Sequence, residues 1–328
     1  MSVRAPAADA RATWLGKASL VIAAIAVAAA FPLFARQQWV VAGILILFNC
    51  YLAQCWNLAA GYAGQFSLGH TVFLATGAYS STVMFRDYGI SPWIGMWAGA
   101  LIAAGLGAAL SAVAFWYNVR GVFFAVITLS AVEVFRGLFA GWDFLGGTSG
   151  IFLLSANDPA NMNFLSRVPY YEIILGMVVL AGLGTLSLER SRFGQYLMAL
   201  REDEGAAEAS GVPTFRCKVI IIAISAAATA LAGTFYAQFL LFIVPETLFT
   251  FDHVINMMLG TIVGGSGTVI GPIVGSFLFG LIGDVLRALP FVNSREAASL
   301  VRVLYGLLLV VLVLRMPRGI VGLWRRRS

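Results

Sequence analysis

Charged side chains are rare in this chain, and those that fall inside apolar runs come in pairs. Glu133 with Arg136, and Asp284 with Arg287, are each spaced i,i+3, so both members of a pair share one helix face. Such groups could relay protons or ions. A charge that carries its own counterion is cheaper to keep in an apolar setting, however, and both are read as structural ion pairs. Arg302 has no local partner of this kind. His70 could carry a proton or touch a ligand, but a lone histidine at a helix start is read first as a hydrogen-bonded structural group, and His253 says little. Cys50, Cys55 and Cys217 offer neither metal-ligand spacing nor a disulfide framework and are read as small core side chains. No catalytic constellation and no metal site follow from these spacings. The only lysines, Lys17 and Lys218, precede Ala18 and Val219, so the chain has no Gly-Lys-Ser/Thr phosphate loop and cannot supply that kind of nucleotide site.

A second kind of chemistry is carried by backbone. The stretches "AAGYAGQFSLGHTVF" at 59–73 and "MLGTIVGGSGTVIGPIVGSF" at 258–277 interrupt apolar runs with glycine and polar residues. Freed N–H and C=O groups cost several kcal/mol each in lipid, so such breaks must face a bundle interior or a cavity. Paired interruptions in the two halves of a chain point to a solute path built from half-helices whose N-terminal amides can receive polar ligands. The candidate lining is Gly61, Tyr62, Gly64, Gln65, Ser67, Gly69 and His70, with Gly264, Gly265, Ser266 and Gly267. Close helix packing through small residues is the alternative for the glycines.

The elements that must position these residues follow from composition. The chain has 328 residues, 60% hydrophobic and 11% charged, with a mean hydropathy of +0.88, against roughly 25% charged in soluble domains. This is the composition of an all-α, polytopic helical membrane protein. Candidate spans run 18–35, 38–60, 68–86, 92–116, 121–141, 169–188, 219–243, 252–263, 268–288 and 299–316. The segment 252–263 is too short to cross alone and reads as a half-helix or a re-entrant piece, which leaves about nine transmembrane helices within a range of about 8–10. With the amino terminus in the cytosol, sides alternating and 252–263 counted as an inward pass, the inner side carries Arg4, Arg11, Lys17, Arg120, Arg190, Arg192, Arg201, Arg216, Lys218, Arg315, Arg318, Arg325, Arg326 and Arg327. The outer side carries only Arg36, Arg86, Arg167 and Arg295, so both termini are expected inside. The organisation is then a cytosolic segment 1–17, a transmembrane domain 18–316 with an inner loop 189–218, and a basic cytosolic tail 317–328. The first apolar run is read as an uncleaved helix, although a cleavable signal peptide is the alternative. The outer loop 142–168 could dock a partner or act as a lid. The net charge of +6 reflects this sidedness, and no nucleic-acid partner is read from it.

The inner loop gathers four of the fifteen acidic residues in "ALREDEGAAEASGV", 199–212. Good helix formers over 195–211, ending at Gly211 with Pro213 beyond, predict one short helix. Its small face suits a groove on another protein, and a solvated helix without partner is the alternative. "REDEGAAEASGV" resembles the cytoplasmic coupling loop of ABC-importer permeases. "GYAGQFSLGH" followed by "FLATGAYSS", "RGVFFAVITLSAVEVFR" at 120–136, "GGTSGI" at 146–151, "ISAAATALAGTFYA" at 224–237 and "GGSGTVIGPIVGSF" at 264–277 are similar, in the same order, to branched-chain amino acid permeases of the leucine-isoleucine-valine system. The likeness covers about 38–325 and is closest to the larger, M-type permease subunit. Gly205, where that family usually has a bulky apolar residue, and Pro213 depart from the pattern.

The resemblance implies a permease subunit of an ATP-driven importer in the bacterial cytoplasmic (inner) membrane, moving branched-chain or related amino acids. It implies a companion permease subunit, two cytosolic ABC ATPase subunits that hold ATP and Mg, and a periplasmic solute-binding protein; this chain itself would hold no cofactor. The coupling contacts would be Arg201, Glu202, Asp203, Glu204, Ala206, Ala207, Glu208 and Gly211. An ion-gradient-driven secondary transporter using Glu133, Asp284 or His70 is the alternative, and a non-transporting scaffold a third class. Leucine-like amino acids, other amino acids, urea and short amides all remain open as solutes.

Overall fold

Helix follows helix along the chain. The computed structural model describes residues 23–153, 157–288, 306 and 319–320, the side chains of 285–288 excepted. The helices are α1 (Ala23–Phe34), α2 (Gln37–Trp56), which runs on into a π-helical turn (Asn57–Tyr62), α3 (His70–Tyr88), α4 (Pro92–Trp116), α5 (Val122–Gly141) and α6 (Val168–Arg190). They continue with α7 (Arg192–Glu202), α8 (Glu204–Ala209), α9 (Thr214–Leu240), α10 (Pro245–Leu248), α11 (Phe251–Gly264) and α12 (Gly271–Ala288). Among the described residues, five helices are long and apolar enough to cross a membrane: α2 with its π turn, α4, α5, α6 and α9. The chain is a polytopic helical membrane protein. The expected half-helix at 252–263 is the 14-residue α11, whereas the expected span 299–316 lies outside the described residues apart from Gly306.

The layering inverts that of a soluble protein. The serine- and threonine-rich α3 is the central helix, with 13 of its 19 residues buried. The apolar α5 buries only Phe124, Ala125, Thr128 and Val132. In lipid there is no hydrophobic drive to bring helices together, so small residues and close backbone approach do that work. α3 packs against α9 in this way: a methyl on Gly77 would overlap the Ala230 carbonyl, and one on Gly233 the Leu74 carbonyl. Thr234 Oγ1 donates to Gly77 O at 3.1 Å across the same contact. Aromatic rings fill the space beside it, with Phe48, Tyr170 and Phe239 around Phe235.

At the end opposite α7 and α8, a two-stranded antiparallel sheet pairs β1 (Ile151–Phe152) with β2 (Phe242–Ile243). The Phe152 and Phe242 rings stack at 4.1 Å. The 142–168 segment is further fixed to helix ends: Arg86 Nη2 donates to Phe144 O at 2.9 Å, Trp93 Nε1 to Pro159 O at 3.1 Å, and Ser91 Oγ to Ala160 O at 2.5 Å. This loop is therefore part of the scaffold on that side.

The helix expected over 195–211 is two helices. Asp203 is extended (φ −155°, ψ 111°), ends α7 and caps α8, its Oδ1 accepting from Ala206 N at 2.9 Å. The side chain that competes with helical backbone wins at this position.

Replacing Gly77 by Val should force α3 from α9 and lower stability by about 3 kcal/mol, the scale of overpacking in a tight core. A fall in the thermal unfolding midpoint of the detergent-purified protein, larger than for Val at the open Gly105, is the expected reading.

Candidate functional site

The two interrupted segments, about 200 residues apart in sequence, meet. The meeting is arranged by one face of α2 and its π turn, where Cys50, Gln54 and Asn57 follow at i, i+4 and i+7. Asn57 makes two bonds to the second break: its Oδ1 accepts from Gly267 N at 2.8 Å, and its Nδ2 donates to Thr268 O at 3.0 Å. Gln54 Nε2 donates to Val269 O at 2.7 Å, and Cys50 Sγ to Ile273 O at 3.4 Å. From the other side Thr261 Oγ1 donates to Ala53 O at 3.0 Å. The backbone freed by the second break thus finds its partners on the helix that carries the first.

Contact at the junction is tight enough to require glycine. A methyl on Gly61 would overlap the Asn57 amide and press on Gly267 N, and one on Gly267 would meet Gly61 O and the Arg201 guanidinium. The alternative reading of these glycines as packing residues holds for Gly264: with Gly260, Gly271 and Gly275 it lets α11 and α12 cross backbone to backbone. Gly265 (φ +127°) and Gly267 (φ +72°) turn the chain between them.

The first break is held separately. Trp56 Nε1 donates to Ser67 O at 2.8 Å, Leu68 N donates to Thr128 Oγ1 at 3.0 Å, and Gly69 N donates to Ser67 Oγ at 3.2 Å. Tyr62 and Ser67 are buried, Gln65 is half-buried, and Gly64 is exposed beside Arg201. Ser266 is half-buried in the second break. His70 does not line an opening. It is fully buried, with Nε2 2.8 Å from Ser225 Oγ, and that hydroxyl donates to Cys55 O at 2.6 Å. The chain His70–Ser225–Cys55 ties α3, α9 and α2 together, the structural reading of this histidine.

The inner loop reaches this junction directly. Arg201, at the end of α7, donates from Nη1 to Gly61 O at 2.5 Å. Several of the expected partner contacts are engaged within the chain: Arg201 as described, Asp203 as the cap of α8, and Ala207 buried at 4% exposure. Glu204 accepts from the buried Lys218 Nζ at 2.7 Å, and Arg120 approaches it at 3.7 Å. Lys218 Nζ also sits 4.4 Å from the centre of the Phe115 ring. These bonds seat α8 on α9, and Glu202, Ala206, Glu208 and Gly211 remain exposed.

The Glu133–Arg136 pair forms as expected, at 2.6 Å, but with 61% and 47% of the two side chains exposed. It borders a cavity of about 240 Å³, which Leu68, Thr71, Val132, Glu246, Phe249 and Val254 also line. Asp284 is described, whereas the side chain of Arg287 lies outside the described residues, and so does that pairing.

Sequence reasoning missed Gln54, Asn57, Thr128, Ser225 and Thr261. The signal was present for the first two, since amides four and seven residues after Cys50 mark one polar stripe on an otherwise apolar span. Nothing local marked Arg201 as a partner of Gly61.

Comparison with known proteins gives a family match over residues 39–313, to "Branched-chain amino acid transport system / permease component". The high-affinity branched-chain amino acid transport system permease protein LivM of Escherichia coli K12 is 27% identical over 93% of this chain and 75% of its own. The protein of the same name from Salmonella typhimurium LT2 is 26% identical over the same shares. The ribose import permease protein RbsC of Escherichia coli K12 is 29% identical over 37% of this chain and 39% of its own. No solved structure matches the chain.

Asn57→Leu leaves Gly267 N–H and Thr268 C=O without partners at the junction, and should cost about 2–4 kcal/mol, one to two buried unsatisfied groups. The check is a lower unfolding midpoint together with faster thiol labelling of a cysteine placed at Ser266.

Proposed function

The chain belongs to the branched-chain amino acid transport system permease family, and from that premise we propose that it is a membrane-spanning subunit of an ATP-driven importer for branched-chain or related amino acids. It works in the bacterial cytoplasmic membrane with a companion permease chain, two cytosolic ATPases and a solute-binding protein on the outer side. ATP and Mg belong to the ATPases. The solute route runs past the joined breaks, where Gly61 and Gly267 bring the two backbones into contact.

The observation that carries this reading is the bond from Arg201 to Gly61 O. It links the α7–α8 loop to the junction through one side chain, so a partner that displaces the loop moves both breaks together. The loop then has two faces. Lys218, Glu204 and Ala207 hold α8 to the permease, while Glu202, Ala206 and Glu208 present the surface that meets an ATPase.

The complex reconstituted in proteoliposomes should take up a branched-chain amino acid with ATP, and not with a proton or sodium gradient alone. Uptake driven by the gradient without the ATPases would favour secondary transport and end this reading. Arg201→Ala should uncouple the machine, with uptake reduced at least about tenfold, the loss of roughly 1.4 kcal/mol of coupling, while ATP hydrolysis continues. Glu208→Lys should weaken co-purification of the ATPases without affecting membrane insertion.

A further inference from the structure

A cavity lies between α3, α5, α10 and α11. Its wall is apolar, from Leu68, Leu129, Val132, Phe249, Phe251 and Val254, and it also holds charges of both signs in Glu133, Arg136 and Glu246. Glu133 lies eleven residues beyond Val122 in the 20-residue α5, about 17 Å along the helix and so near mid-bilayer. An ion pair at that depth is costly against lipid and favours a protein or water-filled setting. Its own bonding is incomplete. Both Arg136 Nε, at 3.0 Å, and Nη2, at 2.6 Å, donate to the same Oε2 of Glu133. Arg136 Nη1 and Glu133 Oε1 make no hydrogen bond among the described residues, and Glu246 is in no ion pair there. A further, independent observation comes from Thr71: it is fully buried, it lines the cavity, and its Oγ1 has no hydrogen-bond partner. A buried hydroxyl of that kind is costly to the fold unless something bonds it.

We infer that this cavity is a station for a zwitterion with an apolar side chain. Arg136 receives the carboxylate through its open guanidinium edge, Glu246 and the open oxygen of Glu133 take the ammonium, Thr71 Oγ1 bonds the headgroup, and the leucine, valine and phenylalanine wall takes the side chain. A ligand with no net charge but two full charges at one end is matched by this set, whereas a sugar or urea leaves the charges unpaired. Rejection of such ligands then arises from unpaired groups in the site. The ion pair, read from sequence as structural, is in this account shared between holding α5 and holding solute. The inference rests on the importer reading above and adds to it that the membrane domain itself selects for zwitterions.

The test uses the assembled transporter. Purified complex is heated with leucine, with leucinamide, which lacks the carboxylate, and with 4-methyl-2-oxopentanoate, which lacks the ammonium. Leucine should raise the unfolding midpoint at millimolar concentration and neither analogue should. Arg136→Gln and Thr71→Val should abolish the shift and cut leucine uptake at least tenfold, with Arg136→Lys keeping part of both. Co-purification with the companion permease and ATPases is the control for folding. If Arg136→Gln does not assemble, Thr71→Val, which removes only the hydroxyl, decides. No leucine shift in the wild type, equal shifts with all three compounds, or variants that keep wild-type uptake overturn the station and leave ATP-driven import standing. A wild-type complex that takes up no branched-chain or related amino acid with ATP overturns the importer reading and the station with it.

Discussion

Backbone that leaves a helix inside a membrane must find hydrogen bonds within the protein, and in this chain a single helix face meets that requirement. Asn57, Gln54 and Cys50 bond to Gly267, Thr268, Val269 and Ile273, which lie over 200 residues away. Water cannot stand in for them without hydrating the core, and lipid offers nothing. The position of α11 and α12 relative to α2 is therefore fixed by polar bonds, while apolar area fixes little, since hydrocarbon surrounds both states. At the centre α3 is held by close backbone approach to α9, where Thr234 Oγ1 donates to Gly77 O at 3.1 Å, while hydroxyls such as Thr76 and Ser81 bond back to carbonyls of α3 itself.

How much of this was legible depended on whether the cause was local. The expected span 92–116 is α4 to the residue, because Ser91 and Pro92 form a start signal, with Ser91 Oγ accepting from Trp93 N at 3.4 Å. The short half-helix was legible from the length of its apolar run, and the two breaks from glycine content. That the breaks touch was not legible: the stripe of Gln54 and Asn57 shows in the sequence, but nothing there says which distant backbone the two amides meet. The inner helix was misread because composition favours continuity through 195–211, whereas Asp203 bonds its own backbone instead.

The acidic stretch shows how one motif divides its labour. Charges that looked equivalent in sequence have different neighbours: Glu204 meets the buried Lys218, and Glu208 meets solvent. A lysine with only 6% of its side chain exposed must have a counterion, so Glu204 belongs to the permease as much as to its loop. Net charge in the loop then overstates what a partner can touch.

The π turn at Asn57–Tyr62 bears on how such a junction can move. A π turn is an α-helix with one surplus residue, and it lies where α2 hands over to the first break. Reverting to α geometry would use up that surplus and swivel everything downstream by about 100°, the angle of one residue in a helix of 3.6 per turn. Gly61, whose carbonyl accepts from Arg201, lies within that same turn, so the surplus residue and the inner loop share one point of contact.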